Sequence, residues 1–242
     1  MLSNRNAAVE AECLRLLNRS RLAPALYERF EIDGHTGLWM EYIEGPTMLS
    51  LILGRLEDAR VDRIVPLFSS LGALLAELHA VQIGSGHHLP RLGISPPGRK
   101  TFIEENLYRR SVQRILGIGG DTEHAPVLVH GDFGYHNVIC DLSGQNRVID
   151  WEMAGMGDPR MDLANVLFWT HLHFPDHAGR FGEAFIRSYL NRRWVDCSPE
   201  SMHSFVIFQV WRILGLVNGD FPDHVKAEWN RRLAWALDHR FI

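Results

Sequence analysis

The string His130-Gly131-Asp132-Phe133-Gly134-Tyr135-His136-Asn137, followed by Val148-Ile149-Asp150-Trp151-Glu152, decides how the rest of this sequence is read. Val127-Leu128-Val129 ahead of it reads as a short buried strand, Val138-Ile139-Cys140 as a second and Arg147-Val148-Ile149 as a third. Asp132 therefore leaves a hydrophobic strand into a glycine-flanked loop, which can hold a carboxylate at a fixed point. Asn137 stands five residues on, where a tight loop brings its amide oxygen near that carboxylate. Asp150 ends the third strand, which can pair with the second and deliver another oxygen to the same place. Hard oxygen donors of this kind suit Mg²⁺, which takes its remaining ligands from phosphates and water. One carboxylate is then left to orient or deprotonate an attacking hydroxyl. A lone His-x-Asp would be turn chemistry, because Asp, Asn and Gly are common between strands. The whole string, with its Asn at plus five and its apolar-apolar-Asp at plus eighteen from Asp132, is too specific for that.

Upstream, residues 5 to 18 predict an amphipathic helix with Ala8, Ala11, Leu14, Leu16 and Leu17 on one side. Two strand-like runs follow, 25 to 30 and 38 to 42, with Asp33-Gly34 as the turn between them. A long helical pattern covers 59 to 82, with Pro66 as a kink or a first turn. The 84–99 stretch, rich in Gly, Pro and His, predicts a loop, with His87 and His88 in solvent, and another helix is expected over 101 to 116. Beyond Asp162 the apolar periodicity predicts helices around 162–171, 180–192, 201–217 and 224–238. No internal repeat or low-complexity segment interrupts this order.

The chain has 242 residues, 46% hydrophobic and 22% charged, an ordinary balance for a globular protein. A net charge of −4 gives no basic footprint, so nucleic acid is not an expected partner. Lys100 and Lys226 are the only lysines, leaving 23 of 25 cationic side chains as arginine. Cys13, Cys140 and Cys197 are sparse, odd in number and without metal-ligand spacing, which suits a reducing compartment. The first twelve residues lack an apolar signal-peptide core, and no apolar run reaches membrane-spanning length. A cytoplasmic location, with no membrane partner, is the expectation.

The 127–165 segment resembles the catalytic and metal loops of the aminoglycoside phosphotransferase and choline/ethanolamine kinase superfamily, relatives of the protein kinases. Ile149 to Pro159, with Asp162-Leu163-Ala164 after it, looks especially similar to the choline-kinase-like branch. The resemblance implies roles. Asp132 would be the catalytic base, Asn137 and Asp150 the Mg²⁺ ligands, and Glu152 an accessory metal or water ligand. Asp162 would hold the catalytic loop from the start of a helix, and His130 would anchor that loop. More loosely, the Leu22 to Tyr27 and Trp39 to Gly45 segments resemble those leading into the hinge between lobes. Adenine of ATP would there hydrogen-bond to backbone groups of Glu41, Tyr42 and Ile43. Glu10 occupies the place of the helix glutamate that pairs with a phosphate-binding lysine, with Glu12 as a competing candidate.

The resemblance also implies a glycine-rich hairpin and a strand lysine ahead of the first helix, which hold the triphosphate. No lysine precedes Lys100 and no glycine precedes Gly34, and Arg5 is the only cation ahead of the helix placed to approach phosphates. The expectation is thus an α+β, protein-kinase-like fold. A truncated N-lobe and hinge would span 1–45 and a mainly helical C-lobe 46–242, with a front segment missing from the given sequence. The expected reaction is ATP- and Mg²⁺-dependent phosphoryl transfer to a small-molecule hydroxyl. The alternatives are a catalytically inactive kinase-fold binding or regulatory protein and, more weakly, a hydrolase. The acceptor pocket should come from the helical back half, where Trp169, His171, His173, Phe174, Phe208 and Trp211 are candidates beside their ordinary role in packing. Choline, ethanolamine, a thiamine-like alcohol, a sugar and an aminoglycoside all fit this reading.

Overall fold

The computed structural model describes residues 4–84, 86–118, 125–217 and 221–242, the side chains of Asn4 and Arg5 excepted. The expectation for the Arg5 side chain therefore lies outside the described residues. The front of the chain is helix α1 (Asn4–Leu17) and an antiparallel hairpin of β1 (Leu26–Ile32) and β2 (His35–Met40). Ala7, Ala11, Leu14 and Leu17 bury one face of α1 at three- and four-residue spacing. Asp33 and Gly34 both take positive φ, 51° and 76°, the conformation a two-residue Asp-Gly hairpin turn requires.

Helix α2 (Met48–Glu57) was not legible in the periodicity. Thr47 starts it, its side chain accepting from the Ser50 N–H, and only Met48 and Ile52 are fully covered. The long helix expected over 59–82 is shorter: a 3₁₀ turn (Val61–Arg63) precedes α3 (Val65–His79), whose first turn contains Pro66. Ala59, at φ 54°, makes the break. Helix α4 spans Glu105–Leu116.

Three-residue strands then alternate with the loops of interest. β3 (Val127–Val129) pairs with β6 (Gly155–Gly157), and β4 (Val138–Cys140) pairs with β5 (Asn146–Val148). β6 was missed because Gly-Met-Gly carries no strand pattern. It is recruited by neighbours: Met156 donates to Pro90 O (2.8 Å) and accepts from the Leu92 N–H (2.8 Å), which also pins part of the 84–99 loop. The back half is α5 (Arg160–His173), α6 (Ala178–Leu190), α7 (Pro199–Leu216) and α8 (Asp223–Asp238), as the periodicity predicts. Phe205, Val206 and Ile207 are all fully buried, so α7 is covered on most sides. The result is a mixed α+β fold with a strand-bearing front and a mainly helical back. Among the described residues no helix is long and apolar enough to cross a membrane.

Candidate active site

Strand β3 is buried along its length and delivers His130-Gly131-Asp132 into a loop clamped from below. Asp162, fully buried in the first turn of α5, accepts the His130 N–H (2.8 Å) and the Gly131 N–H (2.9 Å). It also accepts from His79 Nε2 (3.2 Å), and in the neutral ring Nδ1 then takes the Tyr189 hydroxyl (2.9 Å). Burial pushes the Asp162 carboxyl up, but His79, His130 and the backbone donor outweigh it and hold the group below the usual carboxylate range. His130 is completely buried, and that burial lowers its basicity despite Asp162. Its Nε2–H donates to Ile149 O (3.0 Å) while Nδ1 accepts the Asp132 N–H (3.3 Å). The ring therefore ties the first loop to the Ile149-Asp150 strand end, and it packs on Trp151 at 4.7 Å. Gly131 is required here: it sits at φ 83°, and a Cβ would meet Met153 O at 2.3 Å.

The Asp132 carboxylate is 42% exposed yet fixed by donors. Asn165 Nδ2 donates to Oδ1 (3.2 Å), and His136 Nε2 (3.3 Å) and Asn137 Nδ2 (3.4 Å) donate to Oδ2. The His136 ring lies against Gly134, where a Cβ would come within 2.8 Å of it. Asn137 Nδ2 also donates to Asp132 O (3.0 Å), so its Oδ1 is the amide atom left free. The Ile149 N–H donates to Asn137 O (3.0 Å), which sets Asp150 beside Asn137. Asp150 is exposed, adopts φ 66°, and its carboxylate has no hydrogen bond or ion pair among the described residues. A non-glycine residue held in the left-handed region is strained, and such strain concentrates at functional positions.

Glu10 is 8% exposed and accepts the Trp151 N–H at 3.4 Å. Burial raises its carboxyl, and Asp150 and Glu152 add to this; no basic group partners it among the described residues. Glu152 accepts from Asn6 Nδ2 at 3.5 Å. Glu12 is engaged elsewhere, with His87 Nδ1 (2.8 Å) and Arg15 (3.5 Å), so His87 is not the free solvent-facing ring expected of it. At the hinge, the Glu41 N–H is taken by Ala25 O (2.8 Å) and its carboxylate by the Ala25 N–H (3.0 Å) and Arg147 Nη2 (2.6 Å). Tyr42 is 87% exposed, and the backbone groups of Tyr42 and Ile43 have no partners among the described residues.

Sequence reasoning missed a second tier of residues. Asn165 also donates to Phe133 O (2.9 Å) and accepts from Gln209 Nε2 (2.8 Å). Arg212 Nη1 donates to Gln209 Oε1 (3.2 Å) and Gly131 O (3.1 Å). Two signals were present: Asn165 follows Asp162 by one helical turn, and Gln209 is a lone polar residue in an apolar run. His171 and His173 do diverge, as their spacing predicts. His171 Nδ1 shares a hydrogen bond with His239 Nε2 (2.7 Å), and His173 Nδ1 shares one with the Tyr135 hydroxyl (3.0 Å).

A clamped loop carboxylate beside an amide oxygen and a free carboxylate is a geometry for activating a hydroxyl next to a hard cation. The model of the Phosphotransferase enzyme family (APH) matches residues 3–197. The chain belongs to this family. A curated relative, hygromycin-B 4-O-kinase of Escherichia coli, is 48% identical over 111 residues, 42% of this chain. The match covers 28% of that enzyme, so the chain spans little more than a quarter of its length. Among solved structures, a thermostable mutant of aminoglycoside phosphotransferase APH(4)-Ia in ternary complex with ADP and hygromycin B superposes with TM-score 0.67 at 18% identity. It covers 97% of this chain and 82% of that one. Choline kinase LicA from Streptococcus pneumoniae superposes at 0.64 with 21% identity, over 98% and 81% of the two chains. The fold is that of the protein-kinase-like phosphotransferases, as the loops suggested.

Proposed function

We propose that this member of the Phosphotransferase enzyme family transfers the γ-phosphoryl group of ATP to a hydroxyl of a small molecule, with Asp132 orienting that hydroxyl and accepting its proton. The observation that carries the reading is the Asp132 carboxylate itself, held by three side-chain donors yet left 42% exposed. Such positioning is the larger part of catalysis in phosphoryl transfer, where little covalent chemistry falls to the protein. Among the described residues Asn137 Oδ1 and the Asp150 carboxylate are unpartnered hard oxygens on neighbouring strand ends, a donor set that fits Mg²⁺, with Glu152 as an accessory ligand. When bound, the ion would supply neutralisation of phosphate charge. Adenine would use the free backbone groups of Tyr42 and Ile43, the Glu41 carbonyl standing beside them. Glu10 would close the phosphate end of the cleft beside Asp150 and Glu152. The lobe boundary would fall between residues 45 and 46.

For the acceptor, an aminoglycoside is the best-supported class. The 48%-identical relative is named for hygromycin B. An aromatic ledge also runs from the catalytic loop: Tyr135 to His173, His173 stacked on Trp169 at 5.1 Å, and Trp169 edge-on to Trp229 at 6.5 Å. Aromatic faces suit sugar rings and ammonium groups alike. The test is ATP turnover with hygromycin B, other aminoglycosides, choline and ethanolamine, with and without Mg²⁺, Asp132→Asn serving as control. Magnesium-dependent phosphorylation of an aminoglycoside, lost in the variant, is expected. ATP loss that no acceptor accelerates would indicate a hydrolase, and no turnover in a folded chain would leave the non-catalytic alternative standing.

A further inference from the structure

A cleft of about 430 Å³ opens between the 91–100 segment and α7. Met161, Phe208 and Trp211 supply apolar wall, and Arg91, Lys100 and Arg212 supply positive charge. No Asp or Glu stands among its described lining residues, in a chain whose net charge is −4. Its free polar groups are mostly donors. Among the described residues the Arg91 guanidinium has no hydrogen bond or ion pair, and Lys100 Nζ makes only a long contact, 3.4 Å, to Val217 O. Trp211 is 4% exposed, and its indole N–H has no acceptor among the described residues. A buried donor left unpaired is uncommon in folded proteins and calls for an explanation.

The complement of such a surface is an anionic oxygen group on an apolar body. An aminoglycoside's ammonium groups would be repelled, so Phe208 and Trp211, candidates for the acceptor pocket by sequence, here face a ligand different from the acceptor proposed above. The cleft also reaches the base. Arg212 bonds to Gly131 O and to Gln209, Gln209 to Asn165, and Asn165 to Asp132 Oδ1, in steps of 3.1, 3.2, 2.8 and 3.2 Å.

We propose that this cleft binds a small molecule carrying a carboxylate or phosphate on an apolar body, and that its occupancy is transmitted to Asp132 through Arg212, Gln209 and Asn165. Binding does not depend on the phosphotransferase reading and is tested without ATP. The full chain is titrated by calorimetry with benzoate, phenyl phosphate and benzylamine. The two anions should bind and benzylamine should not, and the tighter of the two anions identifies the group. Arg91→Glu and Lys100→Glu should each weaken the anions at least tenfold with unchanged melting temperature. Equal binding of benzylamine, or anion affinity unaltered by both charge reversals, overturns the site. For the transmission, the side-chain amide NMR signals of Asn165 and Gln209 should shift on saturation with the tighter anion in the native chain and not in Arg91→Glu. Unmoved signals on a saturated cleft overturn that half. A chain that binds these anions but turns over no ATP would sink the proposed function and leave the cleft intact.

Discussion

Replacing Asp162 by Asn removes one negative charge and one acceptor from beneath the catalytic loop. In the native chain Oδ2 serves the His130 N–H and His79, and Oδ1 serves the Gly131 N–H. Asn can keep its oxygen toward the pair of donors, but its NH₂ then faces the Gly131 N–H. Two charge-assisted bonds become neutral ones, about 1 kcal/mol each, and one buried donor is left unsatisfied, about 1–3 kcal/mol. Relief from burying the carboxylate offsets part of this. The net loss should be about 3 kcal/mol, which for a chain of this size lowers the melting temperature by about 6–12 °C. The pH dependence sharpens the test. The folded Asp162 carboxyl is held below its ordinary range, so its stabilisation is present above the unfolded pKa and is lost as pH falls through the folded one. The gap between native and Asp162→Asn should therefore be full at pH 7 and shrink in acid. Thermal unfolding by circular dichroism across that range reads both effects. On the proposed function turnover should also fall, by about 10²-fold, because a loop displaced by about 1 Å would misplace the Asp132 carboxylate. A variant melting within about 2 °C of the native chain at pH 7 would refute the clamp.

On the proposed function, Asp132→Asn should lower kcat by about 10²–10⁴-fold with only a small loss of melting temperature, since one donor loses its acceptor but the group is 42% exposed and water can satisfy it. Steady-state kinetics and calorimetry together check this. Asp150→Gly should stabilise the fold by about 1 kcal/mol, because glycine relieves the φ of 66°, while the magnesium-dependent ATP binding that the proposed function requires should be lost; equal or lower stability would argue against strain there. His171 titrates at about 4, lowered by burial and by His239, so the unfolded chain binds the extra proton between its ordinary range and that value. Stability should therefore fall by up to about 3 kcal/mol as pH drops through this window, and His171→Phe should flatten the slope in urea-unfolding series.

The difference between what the sequence disclosed and what it withheld follows from the range of the forces involved. Asp132 and Asn137 were legible as neighbours because strand ends and tight loops are local, although the Asn137 amide nitrogen, and not the oxygen expected, meets the Asp132 carboxylate; Asp150 is brought beside Asn137 by the Ile149 backbone bond. The helices of the back half were legible because each must bury one face. β6 was not, since Gly155-Met156-Gly157 becomes a strand only through Val127–Val129 and the 90–92 segment, partners remote in sequence. Helix α2 was hidden for the related reason that only two of its residues are fully buried. Glu41 shows the same limit: its carboxylate answers to Arg147, more than a hundred residues away. Asn165, Gln209 and Arg212 are the most consequential omissions. Each reads in isolation as a polar residue on a helix, and only the approach of α5 to α7 turns them into a chain ending on Asp132 Oδ1. A buried polar group must be satisfied, so a lone Gln inside Phe205 to Trp211 already implied a partner of that kind. The local motif thus places the loop carboxylate, and long-range polar satisfaction determines how firmly it is held.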